Sequence, residues 1–128
     1  MKKITKEWLK SASDDLLAIN EIIKNESLTY IAAFHAQQAV EKSFKAVVEE
    51  YSLNFLKTHD LIKLYAHIEN KMKLNLDFEI LRMLNDLYVS SRYPGDIGLL
   101  PNGKPGIDDA LMLYNFAKDL YEMINKSL

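Results

Sequence analysis

All three prolines and all four glycines of this chain fall in one stretch, SRYPGDIGLLPNGKPG, at residues 91–106. Proline and glycine are the residues that most strongly interrupt regular structure. Outside that stretch the apolar residues recur with helical period, in four patterns before it and one after it. Sustained alternation at period two, the mark of a half-buried strand, occurs nowhere. The chain is therefore expected to be all-α, with a long Gly/Pro loop before the last helix. A loop of that length in a compact domain is more often functional or mobile than incidental.

The first pattern runs from about Thr5, a candidate N-cap, to about Asn25, with Trp8, Ala12, Leu16, Ile19, Ile22 and Ile23 on one side. Asn25-Glu26-Ser27 is a short break with Ser27 as a candidate N-cap, and so short a connection favours antiparallel neighbours. The second helix, Tyr30 to Tyr51, has two specialised faces. Ala32, Ala36, Ala39, Ser43 and Ala46 recur at steps of four, three, four and three, so they stack in a row that lets another helix come close. Beside them runs a polar stripe, His35, Gln38, Lys42, Lys45 and Glu49. Thr58 is expected to cap a third helix whose core stripe is Leu61, Leu64, Tyr65 and Ile68. A fourth begins near Asp77 and carries Phe78, Leu81, Leu84, Leu87 and Tyr88. The last opens on Asp108 and Asp109, well placed for its dipole. Its broad apolar face holds Ile107, Ala110, Leu111, Tyr114, Ala117, Leu120, Tyr121 and Ile124.

At 128 residues the chain reads as one domain, 1–128, able to bury a core without metals or disulfides. Its 48% hydrophobic and 27% charged residues exclude a disordered tail protein. A net charge of −2 lacks the basic excess of a domain that grips nucleic acid through phosphates. The absence of cysteine removes thiolate metal sites and fits a reducing compartment. No uncharged apolar run approaches the roughly 18 residues of a membrane helix, and the first residues lack an apolar signal core. A soluble cytoplasmic protein without a membrane segment is expected.

Few residues carry an obvious chemistry. The histidines His35, His59 and His67 form no HExxH pair, and no serine sits in a nucleophile elbow. No metal, cofactor or catalytic residue is assigned. Thr58-His59-Asp60 reads as a helix start, with the alternative that His59 faces a cleft and bonds a ligand. Arg92 is one of two arginines against fourteen lysines and precedes Tyr93 and Pro94. It reads either as a helix stop beside an aromatic anchor, or as a planar fork for phosphate or carboxylate backed by a stacking ring. The stripe of His35, Gln38, Lys42 and Lys45 reads either as a half-exposed flank whose lysine stems cover the core edge, or as a groove for a nucleotide or a partner. Spacing alone favours the flank.

Three phrases in order, FHAQQAVEKSFKAVV, KTHDLIKLY and YVSSRYPGD, resemble the HEPN family (higher eukaryotes and prokaryotes nucleotide-binding domain). The likeness spans nearly the whole chain. Its most specific parts are Gln38-Ala39-Val40-Glu41-Lys42 with Lys45-Ala46, then His59-Asp60-Leu61, then Arg92-Tyr93-Pro94. The resemblance implies an up-and-down bundle of four or five helices that often forms homodimers, binds a nucleotide, and is paired with a minimal nucleotidyltransferase in a two-gene, toxin–antitoxin-like system. The expected groove uses Gln38 as a hydrogen-bonding group, Lys42 and Arg92 against phosphate, Tyr93 to stack on a base, and Lys45 and His35 beside them. Some branches of the family are metal-independent ribonucleases with a histidine four to six residues after an arginine. No histidine follows Arg92 here. An enzyme of that kind would need a displaced acid or base such as His35, and a purely structural dimerisation domain is the remaining alternative.

Overall fold

The row of small side chains on the second helix is sealed: Ala32, Ala36, Ala39, Ser43 and Ala46 are each 1% exposed or less. The computed structural model describes residues 1–90 and 104–128. They form five helices, α1 (Lys3–Ile22), α2 (Thr29–Glu50), α3 (Leu61–Ile68), α4 (Phe78–Ser90) and α5 (Ile107–Ser127), with a short 3-10 turn at Glu26–Leu28. No strand occurs among the described residues. The expected Gly/Pro loop lies outside them up to Gly103, as does the side chain of Tyr88.

The central rod is α2, which packs against α1, α3, α4 and α5. Alanines at its contact faces allow that crowding, because helix axes approach only as closely as the side chains between them permit. The one hydroxyl in the row, Ser43, is satisfied within the helix: its Oγ donates to the Ala39 carbonyl at 2.7 Å. The large side chains that fill the remaining space include Phe44, Leu61, Leu81, Leu113 and Ile124, all fully buried. Each contributes roughly 1.5–3 kcal/mol relative to exposure.

α1 lies antiparallel to α2. At one end the Lys2 backbone N–H and the Thr5 hydroxyl donate to Glu50 Oε1 at 3.0 and 2.9 Å, and the Lys2 ammonium donates to the Glu49 carbonyl at 2.9 Å. At the other end the turn at Glu26–Leu28 joins them. α5 begins beside the start of α2, where the Thr29 hydroxyl donates to the Pro105 carbonyl at 2.6 Å. Tyr65 of α3 fixes the next connection: its hydroxyl both donates to and accepts from the Leu74 backbone at 3.0 Å. Its ring lies between Phe44 and Phe78, at centroid distances of 5.8 and 5.7 Å.

Several helix starts differ from the expected ones. Thr5 is not a cap; it sits inside α1, fully buried, because Glu50 offers its hydroxyl an acceptor. Asn25, not Ser27, accepts the first amide of the turn, from Ser27 N at 2.9 Å. The cap of α3 is Asp60, whose Oδ1 accepts from Ile62 N at 2.9 Å and Lys63 N at 3.1 Å. Thr58 instead accepts from the Asp60 amide at 3.1 Å. Asn85 of α4 satisfies the remaining donor, Leu61 N, at 3.0 Å. Asp77 opens α4 as expected, accepting from Glu79 N at 3.0 Å. On α5 the core takes Ala110, Leu113, Ala117, Leu120 and Ile124, while Leu111 is 39% exposed. Of the broad apolar face read from the sequence, Tyr114 and Tyr121 pack against the edge of the core while Leu111 turns away from it.

Candidate functional site

The antiparallel register of α1 and α2 sets Asp15 opposite two side chains of the polar stripe. Its carboxylate, nearly buried in the groove between the helices, accepts from His35 Nδ1 at 2.8 Å and from Lys42 Nζ at 2.7 Å. His35 and Lys42 are seven residues apart, two helical turns, so both reach Asp15 from the same side of α2. The Phe34 ring meets the His35 imidazole edge-on, with centroids 5.9 Å apart.

A second cluster surrounds Glu41, which is 3% exposed. Its carboxylate accepts from Gln37 Nε2 at 3.2 Å and from Lys45 Nζ at 2.8 Å. Gln37, Glu41 and Lys45 lie at steps of four, the spacing that brings side chains together along one helix. From the α3 side, His59 Nδ1 closes on both oxygens of Glu41 at 3.0 and 3.2 Å. Gln37 is fully buried and must donate to the carboxylate, so its carbonyl points the other way and accepts from Gln38 Nε2 at 2.6 Å. The Lys45 ammonium lies 5.4 Å from the centroid of the Trp8 ring, within cation–π range.

The two clusters have the same composition: one shielded carboxylate, one lysine and one histidine held through Nδ1. In each, the lysine ammonium lies against the carboxylate. Sealing a carboxylate inside a protein is costly unless it is paired and hydrogen-bonded, and these two are. Histidines oriented by carboxylates keep one ring nitrogen in a fixed direction, which suits them to donate, accept or bind.

The sequence-predicted residues sort as follows. His35 and Lys42 are brought together on Asp15; Gln38 and Lys45 are joined through Gln37 and Glu41. Arg92 and Tyr93 lie outside the described residues. His67 stands apart, its Nε2 at 2.7 Å from the Asn54 carbonyl. Among the described residues no group of three or more His, Cys, Asp or Glu is arranged to hold a metal ion. Among the described residues no helix is long and apolar enough to cross a membrane.

Sequence reasoning missed Asp15 and Gln37 and gave Glu41 no role. Asp15 had a signal, because it falls on the same face of α1 as Ala12, Leu16 and Ile19, and an acid there needs partners. Glu41 had one too, four residues ahead of Lys45, the favoured order for an ion pair on a helix.

The family model of the HEPN domain matches residues 5–127. A solved structure, the crystal structure of an archaeal HEPN homologue, superposes with a TM-score of 0.69 at 23% identity, over 99% of this chain and 98% of that one. No curated protein matches. The helix order, the buried face of α2 and the family match over almost the entire length agree, and this protein belongs to the HEPN domain family.

Proposed function

We propose that the polar belt of α2 is a recognition surface, and that the protein is a dimeric cytoplasmic HEPN module that docks a nucleotidyltransferase partner, a nucleotide, or both, in a two-gene, toxin–antitoxin-like system. The observation that carries this reading is the pair of carboxylate–lysine–histidine clusters. They hold His35, Lys42, Lys45 and Gln38 in set directions before any ligand arrives. Preorganised polar groups cost less entropy on binding than mobile ones. Gln38 then bonds the ligand, Lys42 and Arg92 face phosphate, and Tyr93 stacks on a base. Because Lys42 is already neutralised by Asp15 at 2.7 Å, Arg92 carries the larger share of the phosphate charge.

Titration calorimetry with ATP, ADP and AMP tests the ligand half, with Arg92→Ala as the control. Binding lost in the variant supports it, and no heat with any nucleotide removes it. Co-expression with the product of the neighbouring gene, followed by size-exclusion chromatography, tests the partner half. Separate elution of the two proteins removes that half.

A second reading is favoured by one contact, the 2.8 Å bond between His35 Nδ1 and Asp15. A histidine held this way can take a 2′-hydroxyl proton with Nε2, so a metal-independent ribonuclease with a displaced base is the competing function. It requires cleavage of single-stranded RNA in EDTA that His35→Ala abolishes. Intact RNA after prolonged incubation eliminates it.

A further inference from the structure

Through Gln37, the buried carboxylate of Glu41 sets the direction of the Gln38 amide. A carboxylate only accepts, so Gln37 turns its Nε2 toward Glu41 Oε1 at 3.2 Å. The Gln37 carbonyl then faces away from Glu41, where Gln38 Nε2 donates to it at 2.6 Å. Lys45 Nζ at 2.8 Å and His59 Nδ1 at 3.0 Å hold Glu41 in place from two further sides.

A side-chain amide can ordinarily present either its oxygen or its nitrogen to a ligand. In Gln38 the nitrogen is committed to Gln37, and the oxygen is the end left over. No described residue donates to Gln38 Oε1, and that atom is not sealed from solvent. Gln38 is half-buried on the polar stripe, one turn from both His35 and Lys42. Those two are turned to Asp15 through Nδ1 and Nζ. The middle of the stripe therefore carries a hydrogen-bond acceptor of set direction.

Such an acceptor divides the nucleobases into two classes. Adenine N6 and cytosine N4 are amino donors, whereas guanine O6 and uracil O4 are acceptors. An amino group completes a hydrogen bond with Gln38 Oε1. A keto group sets oxygen against oxygen after both have lost water.

We propose that Gln38 reads the base of the bound nucleotide through its carbonyl, taking amino-bearing adenine or cytosine over the keto bases. Gln37 and Glu41 are the positioning residues that fix this choice. The inference rests on the nucleotide reading above and names the class of base that site takes.

Titration calorimetry of the full chain with ATP, GTP, CTP and UTP tests this, on the wild type, Gln37→Met and Glu41→Gln. Circular dichroism checks that each variant stays helical. Comparing ATP with GTP and CTP with UTP keeps ring size, and so stacking, matched. The wild type is expected to bind the amino member of each pair at least about tenfold more tightly. Gln37→Met fills the buried position with an unbranched side chain but lets the Gln38 amide turn over, so each ratio falls to about one. Glu41→Gln can donate as well as accept, and releases the direction in the same way. A folded variant that weakens all four nucleotides yet keeps the wild-type ratios overturns the positioning role. Wild-type binding that is equal within each pair, or favours the keto member, overturns the inference while the nucleotide reading stands. If neither variant folds, the triphosphate of purine riboside, which is ATP without its amino group, decides on the wild type. Binding as tight as that of ATP overturns the contact, and binding weaker by about tenfold or more supports it. No heat with any nucleotide overturns the nucleotide reading and this inference with it.

Discussion

Asp15 and Lys42, 27 positions apart in the chain, meet at 2.7 Å where α1 lies against α2, and the same carboxylate holds His35. Removing the acid leaves a partly shielded ammonium without its counter-charge. Asp15→Asn is expected to cost about 1–3 kcal/mol of stability. In the proposed function it also frees Lys42 for phosphate, so nucleotide affinity rises while stability falls. Urea denaturation and calorimetry on one preparation read both. Unchanged or weaker affinity would show that Lys42 does not face the ligand.

Glu41 takes three donors while 3% exposed, so its loss reaches further than that of a surface acid. Glu41→Ala is expected to destabilise the bundle by about 2–4 kcal/mol, since Gln37 stays buried without an acceptor. Lys45 is less affected because its head can turn to water. Chemical denaturation measures the cost, and a change below about 0.5 kcal/mol would contradict the reading of this cluster.

The small-residue row predicts an asymmetric response to volume. Ala36→Leu forces extra side-chain volume into a fully buried position and is expected to cost about 1–3 kcal/mol or more, whereas Ala36→Gly costs about 1 kcal/mol through helix propensity. Paired thermal unfolding curves decide it. An Ala36→Leu variant as stable as the wild type would mean that the helices are not in close contact there.

Glu50 gives the pH dependence a definite sign. The Lys2 backbone N–H and then the Thr5 hydroxyl donate to its carboxylate and hold its pKa below the ordinary glutamate range. A lowered folded pKa means stability that is complete above the unfolded value. That stability is lost as pH falls from about 4 through the folded one. Glu50→Gln should therefore flatten the decline of melting temperature with acid, and Thr5→Val should flatten it in part. A Glu50→Gln profile parallel to that of the wild type would exclude this account.

The fold was legible because its signals are local and periodic. Ala32 through Ala46 announced a tightly packed face, and the stripe of Leu61, Leu64, Tyr65 and Ile68 announced α3. Helix starts were harder to read, because several candidate oxygens cluster near each one. Whether Thr58 or Asp60 caps α3 depends on Asn85, 25 residues beyond Asp60. The candidate site was half legible. Its lysines and His35 share one helix and show in the spacing, while Asp15 enters from another helix, at a register that packing decides. Leu111 misled because periodicity shows which side of α5 is apolar without showing how much of that side the core accepts.

The antiparallel pairing of α1 and α2 has a kinetic consequence. Contacts such as Asp15 with His35, Lys42 with Asp15 and Lys2 with Glu50 are nested about the Glu26–Leu28 turn, at separations of 20, 27 and 48 residues. Each closure shortens the free loop left for the next, so the two helices can zip outward from the turn at small entropic cost. α5 must instead dock on α2 across a far longer separation, as Thr29 does with Pro105. During synthesis the first half of the bundle can assemble while the last helix has yet to emerge.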